Sequence, residues 1–411
     1  MRILYLTDEF PPNSYGGSGT IAKYIAQGVS SHGHQAYVVS TAKHIGEERE
    51  EPFGDGKIFW LPQYNPEYSF RLGLRNPRSL EALDRILKKV QPDVVHAHNL
   101  HWHLSYAALQ LARTVTPRVF LTAHDLTYVA YAKVFPKGTR CVSAQQAGKQ
   151  CRVSLIRDLR AVKLRYLPWR NRAVRSCLGH VRQIFCVSDF LRRALAANGI
   201  QDCRTLHNGI AVDRFMVKPE SVEEFQKMHN LGLSRVVFFG GRLGSAKGLH
   251  VLLDAMIRVC KRFPDALLLI AAQEGERGEV EREARRRGVE KAIRYAGWLN
   301  EKTLPLAYAA SRVVATPSIY FDPFPTVNLE AMAAGRAVVG TCFGGTSEAV
   351  EDGKTGFIVN PYDVEALAEK VSTLLADENL AQRMGEAGHA RVQNLFSLEA
   401  HAQKTLEAYE I

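Results

Sequence analysis

The 411-residue sequence contains no uninterrupted apolar run of about 18 residues, so no membrane-spanning helix is expected. Its opening, MRILYLTDEFPP, lacks a charged region, a long apolar stretch and a small-residue cleavage site, so it reads as a first β-strand and not a secretory signal. Internal repeats and low-complexity tracts are absent. Cysteine is sparse: seven residues, at 141, 151, 177, 186, 203, 260 and 342, odd in number and scattered through a large chain. That pattern favours reduced thiols in the cytoplasm over a disulfide framework. Cys141 and Cys151, ten residues apart at the long loop, read as a possible bond or metal half-site. Acid is in deficit, with 42 Asp and Glu against 53 Lys and Arg, a net charge of +11. The excess is local, because between Arg152 and Arg193 ten arginines and one lysine face two aspartates. A regional surplus of this kind points to a surface feature and not to a whole-protein property.

What is present is a globular composition, 46% hydrophobic and 23% charged, in a chain long enough for two domains. Short β-rich apolar runs alternate with helix-period segments, the pattern of parallel sheets covered by helices. Strands are expected at Arg2–Thr7, Ala36–Ser40, Asp93–Ala97, Val119–Ala123, Ile184–Val187 and Cys203–Leu206. A second series is expected near Arg235–Phe239, Ala266–Ala271, Ile293–Tyr295, Arg312–Thr316 and Ala337–Gly340. Helices are expected at Thr20–Ser31 and Ser79–Val90. Each half therefore reads as a doubly wound α/β sheet, with Val212–Lys218 as a linker. The stretch Phe135–Gln150, rich in Gly, Lys and Gln, reads as a long loop.

Three segments carry chemistry. Gly16-Gly17-Ser18-Gly19 follows the first strand and opens a helix, where glycines let the backbone approach a phosphate and the helix N-terminus offers N–H donors. A plain turn would look the same. A dinucleotide fingerprint would need an acid at the end of the second strand, which ends Val39-Ser40-Thr41. Next, Gly240-Gly241-Arg242-Leu243-Gly244-Ser245-Ala246-Lys247-Gly248 again joins a strand to a helix. Its Arg242 and Lys247 can bring two cations to a diphosphate, or form an ordinary solvated loop. The spacing does not match a P-loop. Third, prolines 323 and 325 delay a helix until about Thr326, placing Asp322 in the entry loop and Glu330 one turn inside. The two acids can bracket one ligand; a capping acid and a surface glutamate are the plain alternative.

These segments resemble the family 4 retaining glycosyltransferases. Asp322 and Glu330 match that family's glutamate–seven residues–glutamate motif. Similar runs extend along the chain: PDVVHAH (92–98), AHD (123–125), VSDF (187–190), HNGI (207–210), GGRL…KG (240–248) and GGTSEAVEDGKTGFIV (344–359). The resemblance implies a GT-B fold, two Rossmann-like doubly wound parallel-sheet domains facing a central cleft. The boundaries would be 1–212 for the acceptor side and 213–394 for the nucleotide-sugar side, with a closing helix at 395–411 packing back on the first. It implies a hexosyl transfer from a nucleotide-diphosphate-sugar, UDP or GDP, to a glycan, lipid-linked or small-molecule acceptor in surface polysaccharide synthesis. No cofactor or metal is implied. Gly16 and Gly17 would meet the donor from the first domain, and Arg242 and Lys247 would neutralise its diphosphate. Backbone N–H groups of Thr326 and Val327 would hold phosphate, and Glu330 the ribose. Asp322 and His124 would serve the sugar and its transfer, while Trp298 and Leu299 would flank the base. The sequence departs from the pattern in having Asp322 where a glutamate is usual. It also has Ala271-Ala272-Gln273-Glu274-Gly275 where a Gly-x-Gly is common.

Retention in this family is ascribed to same-face attack with the leaving phosphate assisting deprotonation of the acceptor, so no protein nucleophile is expected. His96, His98, His101 and His103 alternate as a metal site can, but no Cys or acid at ligand spacing accompanies them. They are read as cleft-lining or structural. The basic segment 154–175 interleaves Arg and Lys with Leu, Val, Tyr and Trp. It reads either as a helix on an anionic membrane surface or as a solvated helix over the sheet. Nucleic acid is not expected as a partner, because no base-reading module accompanies the charge. The expected location is cytoplasmic, peripheral on the inner membrane face. Two rivals share these features: a GT-B sugar-nucleotide epimerase, and a basic nucleotide- or polyanion-binding protein without turnover.

Overall fold

The computed structural model describes the chain except residues 14–16, 44–45, 139, 142–149, 242–244 and 411. Contacts divide it into two compact units. The first is Met1–Val134, Ala144–Gly209 and Leu398–Ile411; the second is Phe135–Ser143 and Ile210–Ser397.

The strands of the first unit are β1 (Arg2–Leu6), β2 (Gln35–Ala42), β3 (Arg49–Phe53), β4 (Gly56–Pro62), β5 (Val94–Ala97), β6 (Val119–Ala123), β7 (Gln183–Cys186) and β8 (Cys203–Thr205). Among the described residues they form one sheet in the order β3-β4-β2-β1-β5-β6-β7-β8, parallel except where β3 runs against β4. β1 and β5 are wholly or almost wholly buried, as expected for parallel strands covered on both faces. Register aligns Leu6 with Ala97, and Ala97 with Leu121. Asp8, His98 and His124 therefore follow the carboxyl ends of three adjacent strands. The terminal helix Leu398–Tyr409 belongs to this unit.

The second unit holds β9 (Arg235–Gly240), β10 (Ala266–Ala271), β11 (Ile293–Gly297), β12 (Val313–Thr316), β13 (Ala337–Thr341) and β14 (Gly356–Val359). Their order is β11-β10-β9-β12-β13-β14, all parallel. Helices Leu249–Arg262 and Val364–Ala376 bury Met256, Val259, Leu367 and Val371 against Leu268, Ile270 and Val339. Each such side chain contributes roughly 1.5–3 kcal/mol of hydrophobic burial.

The expected strands all form, some shifted by a residue or two. Three more, β3, β4 and β14, were not expected. β3 reads Arg-Glu-Glu-Pro-Phe and is largely exposed. Charge and proline suit an edge strand that protects the sheet from further pairing, and the same features hide it in the sequence. The expected linker is a 3₁₀ turn, Val212–Phe215, followed by the helix Pro219–Met228, both inside the second unit. Most of the expected loop Phe135–Gln150 lies outside the described residues.

The cysteine expectation is corrected. Cys141 is bonded to Cys342, with a Cα–Cα distance of 5.6 Å, and Cys151 is a free, buried thiol. The bonded partners stand 201 residues apart and meet only through the fold of the second unit. Sequence proximity, which singled out Cys141 and Cys151, says nothing about that.

Candidate active site

In the second unit the chain leaves β9 towards β10 on one side and later returns to β12 on the other. Loops at the carboxyl ends of such strands diverge and leave a crevice between them. Here the loop after β9 ends in Lys247 and the loop after β12 contains Asp322. The two loops are pinned together, because Ile319 N–H donates to the Ala246 carbonyl at 2.9 Å. Gly248 has φ 78°, and a Cβ there would stand 1.9 Å from the Pro317 carbonyl oxygen, so no side chain fits. Across this junction Lys247 Nζ donates to Asp322 Oδ2 at 2.6 Å and lies 5.5 Å from the centre of the Tyr320 ring. A third loop, after β13, holds the backbone of Asp322. Gly345 N–H donates to the Asp322 carbonyl at 2.9 Å. Gly344, at φ 79°, approaches so closely that a Cβ would stand 1.9 Å from that same oxygen.

The helix expected after the prolines spans Thr326–Ala333, entered through Pro325 in an extended conformation and without a side-chain cap. Its first N–H groups, at Thr326 and Val327, therefore keep the partial positive charge that an anion can use. One turn in, Glu330 accepts a hydrogen bond of 2.7 Å from the Tyr308 hydroxyl. Tyr308 is buried and packed edge-on against Phe238 at 4.9 Å and Phe215 at 5.8 Å. Burial raises the Glu330 carboxyl above its usual range. Hydrogen bonds from Tyr308 and Thr326, and the charges of Arg214 and Lys247, oppose the rise.

Trp298 and Leu299 follow β11 at the same sheet edge, where Ala272 N–H donates to the Gly297 carbonyl at 3.0 Å. Trp298 is exposed and Leu299 half-buried. In place of a Gly-x-Gly, Gln273 caps a 3₁₀ turn at Glu274–Glu276. The second unit thus gathers Lys247, Asp322, Thr326, Val327, Glu330, Trp298 and Leu299 at the carboxyl ends of its strands. Arg242 lies outside the described residues, as does Gly16.

In the first unit Gly17 begins the helix Gly17–Ser31 and is exposed; the next residue, Ser18, accepts a hydrogen bond of 3.1 Å from Asn99. His124, just beyond β6, is half-buried, and its Nε2 pairs with His98 Nδ1 at 2.9 Å. Burial pushes His124 down to about 4 and His98 well below the usual range, so both are neutral near pH 7. In a neutral pair one ring donates and the other accepts, which couples the tautomer of His124 to that of His98. His96 is also buried and bonded to Thr122 at 2.8 Å. Burial alone would raise Asp125, but the charge and hydrogen bond of His101, with Thr127, hold it well below the usual carboxylate range. Among the described residues no three His, Cys, Asp or Glu are grouped to hold a metal ion.

Tyr308 and Asp8 carry no signal in the sequence reading. Asp8 accepts backbone N–H bonds from Trp102, His103 and Leu104 at 2.8–3.0 Å, fixing the loop that carries the histidines. The basic segment is divided. Arg170 is buried, donates to the Thr127 carbonyl and stacks 4.7 Å from the Tyr131 ring centre. Arg165 donates to the Glu67 and Tyr68 carbonyls at 2.6 and 2.8 Å. Both are tied into the fold. Leu155, Ile156, Leu159, Leu164 and Trp169 are exposed beside Arg160, Lys163 and Arg172.

Comparison with known proteins joins this geometry to a family. Residues 15–214 match the family model "Glycosyltransferase Family 4", and residues 221–391 match "Glycosyl transferases group 1". The chain is a family 4 glycosyltransferase. This glycosyltransferase is 26% identical over 433 residues to a glycogen synthase of Mycobacterium tuberculosis, covering all of this chain and 94% of that protein. It is 28% identical over 429 residues to an alpha-maltose-1-phosphate synthase of Mycolicibacterium smegmatis, covering all of this chain and 99% of the relative. Among solved structures, HepE of Anabaena in complex with UDP superposes with a TM-score of 0.69 at 19% identity over the whole of both chains. Both units of this glycosyltransferase are parallel-sheet α/β domains, and its fold is GT-B.

Proposed function

We propose that this glycosyltransferase moves a hexose-type sugar, with retention of configuration, from a UDP- or GDP-sugar to a glycan, lipid-linked or small-molecule acceptor in surface polysaccharide synthesis. The observation that carries this reading is the meeting of Lys247, Asp322 and the Thr326 helix N-terminus, with Glu330 one turn in, at the switch point of the second unit. Breaking a sugar–phosphate bond builds negative charge on the diphosphate and positive charge on the sugar ring. Lys247, with Arg242, and the helix N–H groups of Thr326 and Val327 neutralise the diphosphate. Glu330 accepts from the ribose, Trp298 and Leu299 flank the base, and Asp322 holds sugar hydroxyls. To Gly16 and Gly17 of the first unit we assign contacts with the donor, and to His124 a part in the transfer. The departing phosphate oxygen takes the acceptor proton as the acceptor attacks the same face, so neither a protein nucleophile nor a divalent metal is required.

We place the enzyme in the cytoplasm, at the inner face of the membrane. The five exposed apolar side chains between Leu155 and Trp169, flanked by exposed cations, support an anionic surface as partner. The test is a thermal-shift and turnover screen against UDP-, GDP-, ADP- and dTDP-sugars, with and without a chelator, and with the donor alone as control. A UDP- or GDP-sugar should stabilise and turn over only when an acceptor is supplied, and Lys247→Ala and Glu330→Ala should each weaken this strongly. No stabilisation and no turnover with any donor would sink the proposal. Conversion of the donor without acceptor would indicate an epimerase.

A further inference from the structure

Lys247 and Asp322 serve different parts of the donor in the proposed reaction, and in the structure they hold each other. The contact is 2.6 Å, with Asp322 only 8% exposed and Lys247 26%. A pair so sheltered is screened less than an ordinary surface ion pair. The two partners are not equally mobile. Asp322 is clamped through its main chain: its N–H donates to the Tyr320 carbonyl, its carbonyl accepts from Gly345, and Gly344 packs against it. Lys247 reaches it on a flexible four-carbon stem. An anion entering at the Thr326 helix N-terminus can draw the ammonium away, but the carboxylate cannot follow.

Resting on the reading of this site as one for a sugar nucleotide, we propose that Lys247 and Asp322 form an exchange pair that distinguishes donor from product. The donor's diphosphate takes the ammonium, and the hydroxyls of the attached sugar give the released carboxylate new donors, so both charges stay satisfied. After transfer the nucleoside diphosphate has no sugar to offer. Holding Lys247 would then leave a nearly buried carboxylate unpaired beside a phosphate, an arrangement that low dielectric penalises. Asp322 recaptures the lysine and the product is released. Asp322 is thereby a product-release residue as well as a sugar contact.

The experiment is calorimetric titration of inorganic pyrophosphate, UDP and GDP into the wild-type protein, Asp322→Asn, Lys247→Met and the double variant, with Asp322→Ser as a second neutral replacement. Asp322→Asn should bind pyrophosphate and the preferred nucleotide about tenfold more tightly than wild type, while turnover with the sugar donor falls. In the Lys247→Met background the same substitution should gain under about threefold, because carboxylate–phosphate repulsion survives loss of the lysine and recapture does not. Equal or weaker binding by folded Asp322→Asn or Asp322→Ser overturns the exchange. So does an equal gain in both backgrounds. Binding by wild type without a gain in the variants removes the exchange alone. No binding by any of the five proteins removes the donor-site reading and the exchange with it.

Discussion

Replacing Tyr308 by Phe removes one oxygen and little else. The ring keeps its edge-on contacts with Phe238 and Phe215, so the packing that holds it is retained. What goes is the 2.7 Å hydrogen bond to Glu330. A hydrogen bond to a charged group is worth about 1.5–3 kcal/mol, and a factor of ten is about 1.4 kcal/mol. If Glu330 grips the donor as a carboxylate, kcat/KM for the donor should fall by roughly ten- to a hundredfold, mostly through KM. The pH profile adds a second readout. The Glu330 pKa is raised above its ordinary 4.5 chiefly by burial, with the Tyr308 bond among the causes that limit the rise. Without it the acidic limb of kcat/KM should move to higher pH. The stability sign follows by linkage. A carboxyl with a raised folded pKa keeps its proton in the folded state after the unfolded chain has lost it, so stability declines as pH climbs from about 4.5 through the folded value. In Tyr308→Phe that decline should extend to higher pH. The assay is initial-rate kinetics across pH with the donor found by screening, together with thermal melts at each pH. A variant of native melting temperature, with unchanged donor KM and an unmoved acidic limb, would show that Tyr308 does not act through Glu330.

Gly344→Ala should cut turnover at least tenfold while leaving the sheet intact by circular dichroism, because a Cβ 1.9 Å from the Asp322 carbonyl must displace the loop that carries this carboxylate; normal kinetics would show the loop is free to give way. His98→Leu should lower kcat more than KM by freeing the tautomer of His124, and His98→Asn, which keeps a hydrogen-bonding group near Nδ1, should recover part of the loss. Equal activity in both variants would leave His98 a packing residue. Leu164→Glu and Ile156→Glu together should abolish sedimentation with vesicles containing phosphatidylglycerol without altering donor turnover in solution, since both side chains are exposed. Unchanged sedimentation, or none by the intact protein, would remove the membrane partner.

Much of the fold is written locally. Strands such as Ala266–Ala271, buried along their whole length, show as uninterrupted apolar runs, and Pro323 and Pro325 put the helix start at Thr326 where the structure has it. Lys247 and Asp322 were legible because each sits in a loop beside Gly248 or Pro323, residue types that mark backbone geometry directly, and Glu330 because it stands eight residues after Asp322, at the spacing of the two-acid motif. Tyr308 was not. It lies 22 residues before Glu330 in an ordinary-looking helix, and an aromatic there reads as core. Arg170 failed in the opposite direction. A run of cations reads as a solvated or membrane-facing surface, yet this guanidinium is buried over Tyr131 because its helix turns that face inward.

The same distinction separates the two acids of the motif. From spacing they look equivalent, one turn and a loop apart. In the structure Asp322 is paired with a cation and Glu330 with a phenol, and those partners set opposite demands. A carboxylate facing Lys247 is satisfied only while the lysine stays or hydroxyls replace it. A carboxyl bonded to Tyr308 keeps its partner whatever enters the site. Glu330 can therefore serve as a fixed grip for the part of the ligand common to donor and product. Asp322 is suited to report whether the sugar is present. The shorter side chain belongs on that second task, because an aspartate anchored through its own backbone at Gly344 and Gly345 has little freedom to follow a departing lysine.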